Sequence, residues 1–540
     1  MSNKELSELL SLFSKLIELH NLNPFKAKAF ANAAFKINKY PKEILSLPEN
    51  EILNIEGIGK GILETIQEIK LHHTFSELQH LVNTTPPGLL EILKIKGLGP
   101  KKVAIIWKAL GVESIGELVY ACNENRLITL KGFGEKSQNE ILEKIKFLLS
   151  VQRKYLFASI KEIAEEFVTH LKTKHQIQLV SSVGELRRMC NVIEKAEFLI
   201  GAEKFNEFNN EEPPFDIDFK LHFCKPEEFE YYLLKLTAHP KHLTHINTKH
   251  CELLSETEIY AKNGLEYIIP PMREGENEFE WQKKHSASEI VETQHLKGIL
   301  HNHTTYSDGI HTIKEMANRC RELGYHYIGI SDHSQTAVYA NGLKPDAILK
   351  QLKEIEELNN QLSPFKIFKG IESDILPNGQ LDYPTEILSL FDFIIASVHS
   401  ALKMDETKAT ERIIKAIENP FTNILGHPSG RLLLSREGYP LHYKKIIDAC
   451  AANDVIIELN ANPYRLDIDW KWIYYAMEKE VLISINPDAH HIDGLEDVQY
   501  GIYSAQKGGL TKKFTFNTKS AEEIEFFFLH KKVKALSDKI

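Results

Sequence analysis

Cysteine is scarce in this 540-residue chain: Cys122, Cys190, Cys224, Cys251, Cys320 and Cys450 are widely scattered, with no Cys-x-x-Cys pair. That spacing argues against a disulfide framework and against a thiolate zinc site. Long apolar runs are also missing. No window approaches the roughly 18 consecutive apolar residues of a membrane span, and the opening MSNKELSELL lacks the apolar core of a signal peptide. A cytoplasmic location is the expectation. Nor is there a surplus of basic residues, since 65 Lys and Arg stand against 75 Asp and Glu for a net charge of -10. With 43% hydrophobic and 26% charged residues, the chain is neither disordered nor fibrous, and its length calls for three or four domains.

The charge is unevenly placed. Residues 1–150 carry 19 Lys and Arg against 17 Asp and Glu, whereas the remainder carries 46 against 58. A surface for a polyanion backbone therefore belongs to the first part. That part reads as all-helical, with apolar residues at helical spacing in ELLSLFSKLIELH and KGILETIQEI. One element recurs in it at spacings of 40 and 35 residues: Gly57-Ile58-Gly59-Lys60, then Gly97-Leu98-Gly99-Pro100-Lys101-Lys102, then Gly132-Phe133-Gly134-Glu135-Lys136. Two glycines let the backbone turn tightly and expose N–H groups at a helix N-terminus, a natural anion site to which the lysine adds charge. These three elements resemble helix-hairpin-helix motifs, which imply DNA phosphate contacts that do not read sequence. Residues 1–85 hold the first and 86–150 the second and third.

From 151 to 270 the pattern becomes α+β, with IQLVSSVG, KAEFLIGA and PFDIDFKLHF as strands. Pro and Glu cluster in 268–281, so 271–296 reads as a polar linker. From 297 to 540, seven β-rich runs alternate with helical patterns: GILH, YIGISDH, FKIFKGIESDI, FDFIIASVH, TNILGH, VIIELN and VLISINPDAH. Seven βα repeats predict a parallel (β/α)7 barrel whose chemistry lies at the C-terminal strand ends.

Metal-capable side chains fall at those ends. His301 and His303 close the first strand with Asp308 in the following loop; Asp332 and His333 close the second; Glu372 and Asp374 lie in the third; His399, His427, Asp488 and His490 follow later strands. Burying so many imidazoles and carboxylates together costs desolvation energy that cations would offset. Two or three first-row divalent ions fit the mixed donor set, with Zn, Mn or Fe allowed. Such a centre suits phosphoester hydrolysis. HNHTTYSDG, SDHS, GIESDI, SVHS, GHPSGR and PDAH resemble the successive motifs of the PHP (polymerase and histidinol phosphatase) domain. The resemblance implies metal ligation by His301, His303, Asp308, His333, Glu372, His399, His427, Asp488 and His490. It also places His301, His303, Asp308, His333 and Arg431 at the chemistry, with Arg431, Asn460, Asn462 and Arg465 contacting substrate phosphate or orienting ligands.

The order of helical hairpins, α+β domain and PHP barrel is similar to bacterial family X DNA polymerases. The middle domain is then expected to be a nucleotidyltransferase palm and thumb. Gly184, Arg187 and Arg188 match the nucleotide-site pattern, but Glu185 stands where the family has serine, and Lys195-Ala196-Glu197 where it has Asp-x-Asp. Asp218 remains for the last carboxylate; Asp216 and Asp218 also read as alternate residues on the exposed face of a strand. Two Mg ions need several carboxylates at about 2.1 Å, and an ammonium among them repels the cations. Thr237-Ala238-His239-Pro240 departs from the thumb segment as well. Polymerase activity is therefore expected to be absent and no Mg is expected at the palm. Lyase activity is not expected, because Thr65 occupies the position of the nucleophilic lysine. The predicted function is metal-dependent 3′-5′ exonuclease or 3′-end phosphoesterase action on gapped, nicked or 3′-ended DNA in repair, by a monomer that binds no membrane. The alternatives are a bifunctional polymerase and exonuclease, a small-molecule phosphatase of the histidinol-phosphate type, and a non-catalytic DNA-end scaffold.

Overall fold

The computed structural model describes residues 1–40, 42–95, 97–150, 154–208, 211–213 and 217–537. It forms two compact units, Met1–Phe147 and Leu148–Ile540. Among the described residues, no helix is long and apolar enough to cross a membrane, and all six cysteines are free.

The first unit is all-helical. In α1 (Asn3–Leu19), Leu6, Leu10, Phe13 and Ile17 recur at helical spacing and are buried, and a Ser2–Glu5 capping box closes the N-terminus. α1 packs on α2 (Pro24–Asn38), with Phe13 edge-on to both Phe30 and Phe75 at 4.8 Å. Then come α3 (Glu49–Leu53), α4 (Lys60–His72), α5 (Ser76–Thr84), α6 (Pro87–Ile92), α7 (Pro100–Leu110), α8 (Ile115–Asn123) and α9 (Glu135–Ser150). Segments 1–85 and 86–150 are in contact: α1 packs on α7, and the His20 ring stands edge-on to Trp107 at 5.5 Å.

The second unit opens with β1 (Tyr155–Leu156), α10 (Phe157–Lys174), β2 (Val180–Val183), α11 (Gly184–Arg187), β3 (Val192–Ile193), β4 (Ala196–Gly201), β5 (Phe219–Cys224) and α12 (Phe229–Thr237). β2 pairs antiparallel and β5 parallel with the central β4. Alternation along β4 sends Phe198 and Ile200 into a core with Phe167 and Leu171 of α10, and Leu199 into a core with Phe229 and Leu233 of α12. All three strands expected in this domain form. Phe215 and Asp216 lie outside the described residues, as does Lys96 of the second glycine repeat.

α13 (Pro240–Leu243), α14 (Glu256–Lys262) and α15 (Glu278–Trp281) lead to the barrel. The stretch 271–296, expected as a polar linker, is packed. Met272, Trp281 and Ile290 share an apolar cluster with Leu234, Tyr260 and the barrel's Tyr474, and Trp281 Nε1 donates to Gly509 O at 2.7 Å. Its polar composition misleads because charged residues there are buried in pairs: Arg273 on Glu256, and Glu278 on His242 at 2.7 Å.

β6 (Gly298–Ile299), β7 (Tyr327–Ile330), β8 (Lys366–Asp374), β9 (Phe393–Ser397), β10 (Ile424–Leu425), β11 (Ile456–Asn460) and β12 (Ile483–Asn486) pair in sequence order, all parallel. They fall within the seven predicted runs. α16 (Ile313–Glu322), α17 (Pro345–Leu362), α18 (Thr385–Leu388), α19 (Glu406–Ile417), α20 (Tyr443–Ala452), α21 (Ile473–Glu478) and α22 (Val498–Lys507) follow successive strands. The barrel is nearly closed. At the seam between β6 and β12, the His303 N–H donates to Ala489 O at 2.8 Å, and Asn517 Nδ2 donates to both Gly298 O and Ile485 O. Phe528 of α23 (Ala521–Ser537) packs with Phe368, Phe393 and Phe516 in a separate apolar cluster.

Candidate functional site

All nine side chains expected to hold metal meet at the C-terminal ends of the barrel strands. His301 and His303 follow β6, His333 follows β7 and Glu372 lies in β8. His399, His427, and Asp488 with His490 stand just beyond β9, β10 and β12. His427 and Asp488 take left-handed backbone, φ 44° and 55°, an uncommon conformation for non-glycine residues that clusters at functional sites. Glu372 is the hub. Its carboxylate lies 2.9 Å from His427, 3.1 Å from His399, 2.9 Å from His333, 3.4 Å from His301 and 3.6 Å from His303. Asp488 Oδ1 lies 3.0 Å from His303 and 3.3 Å from His301, while Asp308 lies 3.3 Å from His490 and 3.5 Å from His333.

Donors in four groupings converge to within 4.8 Å: His303, Asp308, His333 and His490; His301, His427 and Asp488; His301, His303 and Glu372; and His333, Glu372 and His399. Bonds of about 2.0–2.2 Å to one ion put neighbouring donors about 3–3.5 Å apart. The spacing therefore fits cations. So does the hydrogen bonding: His301 Nε2, His303 Nδ1, both ring nitrogens of His333, His427 Nδ1 and Glu372 Oε2 are buried with no hydrogen-bond partner among the described residues.

Electrostatics points the same way. Burial alone would raise the carboxyls of Asp308, Glu372 and Asp488, yet the facing imidazoles hold all three well below the usual range. Burial lowers His303 to about 3, with His490 and His333 adding repulsion. Against burial, Asp308 and Glu372 raise His333 to about 10. The cluster demands positive charge, which protons supply when cations do not.

Around these donors stands a second tier, part of which the sequence did not disclose. Glu458 Oε1 lies 2.7 Å from His301 Nδ1 and accepts from Asn486 Nδ2 at 3.1 Å. Asp374 Oδ1 lies 2.6 Å from His399 Nδ1. Asp332 accepts from Thr304 N–H at 2.8 Å, Thr304 Oγ1 at 2.7 Å and Gln351 Nε2 at 2.6 Å, which fixes the loop bearing Asp308. Glu458 is one step before Leu459-Asn460 on β11, so an acid pointing inward two residues before the noted Asn460 was its available signal. Asn460 Nδ2 donates to Asp488 Oδ2 at 3.0 Å, and its Oδ1 accepts the Asn462 N–H at 3.1 Å. Arg465 Nε stands 3.8 Å from Asp488 Oδ2. Arg431, expected at the chemistry, lies in the loop after β10. Its guanidinium is engaged by Asp469 and by the carbonyls of Arg465 and Leu466, so it braces the 465–469 loop.

In the palm, the expected nucleotide-site residues lie together but bind one another. Gly184 has φ +59°, and a Cβ there would come within 2.8 Å of Glu197 Oε2. Glu197 Oε1 is paired with His222 at 3.0 Å and Lys195 at 3.1 Å, His222 doing most to pull the carboxyl to about 2. Glu185 accepts the backbone N–H of Glu194 at 2.8 Å. Arg187 makes a two-point pair with Glu256 at 2.7 and 2.9 Å and donates to Thr237 Oγ1 at 3.0 Å. Arg188 pairs with Glu274 at 2.9 Å and donates to Thr237 O at 2.7 Å. His239 caps α13 through the Lys241 N–H. Asp218 is exposed just before β5, its carbonyl accepting the Ala196 N–H. The structure brings Glu197 and Gly184 together and leaves Arg187 facing the buried Glu256 and Arg188 facing the half-buried Glu274.

The three glycine turns share one geometry. Gly57, Gly97 and Gly132 have φ +93°, +97° and +90°, a region that favours glycine, and Gly59, Gly99 and Gly134 stand immediately before α4, α7 and α9. Nothing lies within 4 Å of a Cβ placed at Gly57, Gly59, Gly99, Gly132 or Gly134, so the turns are open outward. Lys60, Lys101, Lys102 and Lys136 are exposed in the first turns of these helices. At the third hairpin, Ser137 Oγ takes the Gly134 N–H at 2.9 Å. Thr65 points its hydroxyl back to Gly61 O at 3.0 Å within α4.

Family models match the hairpin regions and the barrel. A helix-hairpin-helix domain profile matches residues 1–75, a SAM-like helix-hairpin-helix tandem matches 89–146, and a PHP domain matches 300–462. A probable phosphatase of Thermoanaerobacter sp. (strain X514) is 29% identical over 41% of this chain and 91% of its own length. One from Clostridium acetobutylicum is 24% identical over 44% of this chain and 96% of its own. The DNA polymerase/3′-5′ exonuclease PolX of Bacillus subtilis is 32% identical over 98% of this chain and 99% of its own. Similarity of that extent, running through hairpins, palm and barrel alike, places the chain in the bacterial family X DNA polymerases that carry a C-terminal PHP domain.

Proposed function

We propose that the barrel mouth is a metal-dependent phosphoesterase acting on DNA as a 3′-5′ exonuclease, and that the palm no longer polymerises. The observation that carries the reading is Glu372 surrounded by five imidazoles, several with buried nitrogens that lack hydrogen-bond partners among the described residues. His301, His303, Asp308, His333, Glu372, His399, His427, Asp488 and His490 would hold two or three divalent ions, Zn, Mn or Fe. Such ions supply Lewis acidity and water activation for hydrolysis of a phosphodiester. Glu458 and Asp374 orient the rings of His301 and His399 and set their tautomers. Arg465, beside Asp488, offers a cation to the scissile phosphate. The open glycine turns with Lys60, Lys101, Lys102 and Lys136 hold DNA backbone and raise the local concentration of 3′ ends.

The name of the Bacillus subtilis relative joins polymerase and exonuclease. Only the second activity suits this chain, because Lys195 and His222 neutralise Glu197 where carboxylates would have to hold Mg, and Arg187 and Arg188 are paired internally. We assign it to gapped, nicked or 3′-ended DNA in repair, as a cytoplasmic monomer. The phosphatase-named relatives, which match the barrel region, favour hydrolysis of small phosphate esters as the second reading.

A 5′-labelled primer on a gapped template, with Mn²⁺ and with or without deoxynucleotides, tests this. Stepwise shortening is expected, lost by about a thousandfold in His303→Ala and on chelation, with no extension at any nucleotide concentration. Extension would restore the bifunctional reading, and an unchanged primer with rapid hydrolysis of a small phosphate ester would select the second.

A further inference from the structure

The segment 462–474 has two faces. One serves the mouth: Arg465 approaches Asp488, Asp467 Oδ2 accepts from Ser429 N–H and Gly430 N–H at 3.0 and 3.1 Å, and Asp469 holds Arg431. The other is covered by the palm and thumb. Pro463 and Leu466 line a small cavity with Phe157, Met189 and Tyr503, and Tyr474 is buried in the cluster of Leu234 and Trp281. The loop that places Arg465 therefore rests on the palm.

A buried ionic knot fixes that contact. Lys507, at the end of α22, pairs with Glu274 and donates to Arg188 O at 3.2 Å, while Arg188 pairs with the same Glu274. The Lys507 ammonium also stands 5.1 Å from the Trp470 ring, within segment 462–474. One cation at the end of the barrel helix thus reaches the palm turn, the 271–274 strap and the mouth segment. Each charge in the knot is more than four-fifths covered, so the pairs have a directional geometry that an apolar contact would not impose.

We propose that the palm acts as an intramolecular positioning element for the barrel, with Lys507, Glu274 and Arg188 as positioning residues that work through Arg465. An arginine that the family's nucleotide site would present to a triphosphate is here part of the knot. This rests on the phosphoesterase reading above. A displacement of about 1 Å at a group contacting substrate can cost up to a hundredfold, so loosening the knot should be read in turnover even though it lies outside the mouth.

The test uses the full chain and a double-mutant cycle of Lys507→Met and Arg465→Ala, with kcat and KM measured on a labelled oligonucleotide, together with bound metal and thermal midpoint. Lys507→Met is expected to lower kcat/KM about tenfold with metal content unchanged, Lys507→Arg to restore it, and Lys507→Met to add no further loss in the Arg465→Ala background. If Lys507→Met does not fold, Glu274→Gln, which keeps side-chain volume, replaces it in the cycle. Wild-type kinetics in the knot variants, or losses that multiply in the double variant, would overturn the proposal. Failure of the wild type to shorten DNA, or full activity in His303→Ala, would instead overturn the reading beneath it.

Discussion

The barrel mouth and the palm turn are both crowded with charge, and they differ in where that charge is directed. At the mouth, three carboxylates face six imidazoles whose remaining nitrogens are in part without hydrogen-bond partners among the described residues. In the palm, each candidate group has a partner within the chain: Glu197 has Lys195 and His222, Arg187 has Glu256, and Arg188 has Glu274. A site that awaits cations keeps lone pairs available; one that has become architecture closes them on its own side chains. Motif matching alone does not make this distinction, because Gly184, Arg187 and Arg188 keep their places while their donors point elsewhere.

The sharpest way to test that contrast is to open the closed side. Glu256 lies between Arg187 and Arg273, with 2.7 and 2.6 Å contacts, and is 4% exposed. Burial alone would raise its carboxyl; hydrogen bonds from both arginines override this and hold it at about 2 rather than the ordinary 4.5. Glu256→Gln leaves the buried Arg273 and the half-buried Arg187 short of countercharge and should cost about 3–5 kcal/mol of stability near neutral pH, measured by chemical denaturation. Because the folded carboxyl is depressed, its contribution is present above about 4.5 and is lost as pH falls toward about 2. The gap between wild type and variant should therefore narrow across that interval. A neutral effect at pH 7 would mean that these arginines are available after all.

Much of the barrel was legible because its strands are buried on both faces and read as apolar runs ending in His, Asp or Glu, a pattern with few other causes. The three hairpins were legible because left-handed backbone at Gly57, Gly97 and Gly132 restricts the residue type. What escaped was pairing across long separations. The 271–296 stretch reads as a polar tether, and nothing local tells that Arg273 will lie on Glu256 or that Trp281 will reach Gly509. The partner of Arg431 escaped for the same reason, since Asp469 lies 38 residues on. Glu458, inward-facing on β11, carries a carboxylate that only the closed barrel brings to His301.

Glu458 sharpens the comparison from the other side. Replacing it with glutamine keeps the shape but removes the charge that orients His301, so metal affinity and DNA shortening should fall by about 10–100-fold. Glu197→Gln in the palm should leave both unchanged. Metal titration followed by the primer assay reads the pair of variants side by side, and equal losses in the two would erase the distinction between an open and a closed site.

The smallest effect concerns the hairpins, whose charges are neither buried nor paired into a core but exposed beside open turns. If they hold phosphates, binding of a DNA duplex should weaken with salt, and Lys60→Ala or Lys101→Ala should each reduce the slope of log affinity against log salt by about one. Lys136→Ala should do less, because Ser137 already accepts the Gly134 N–H that a phosphate would need. Turnover of a small phosphodiester at the barrel should not change in any of the three. A graded response of this kind, strongest where the backbone donors are open, would separate anion binding by the turns from attraction to positive charge in general, which predicts equal slopes for all three lysines.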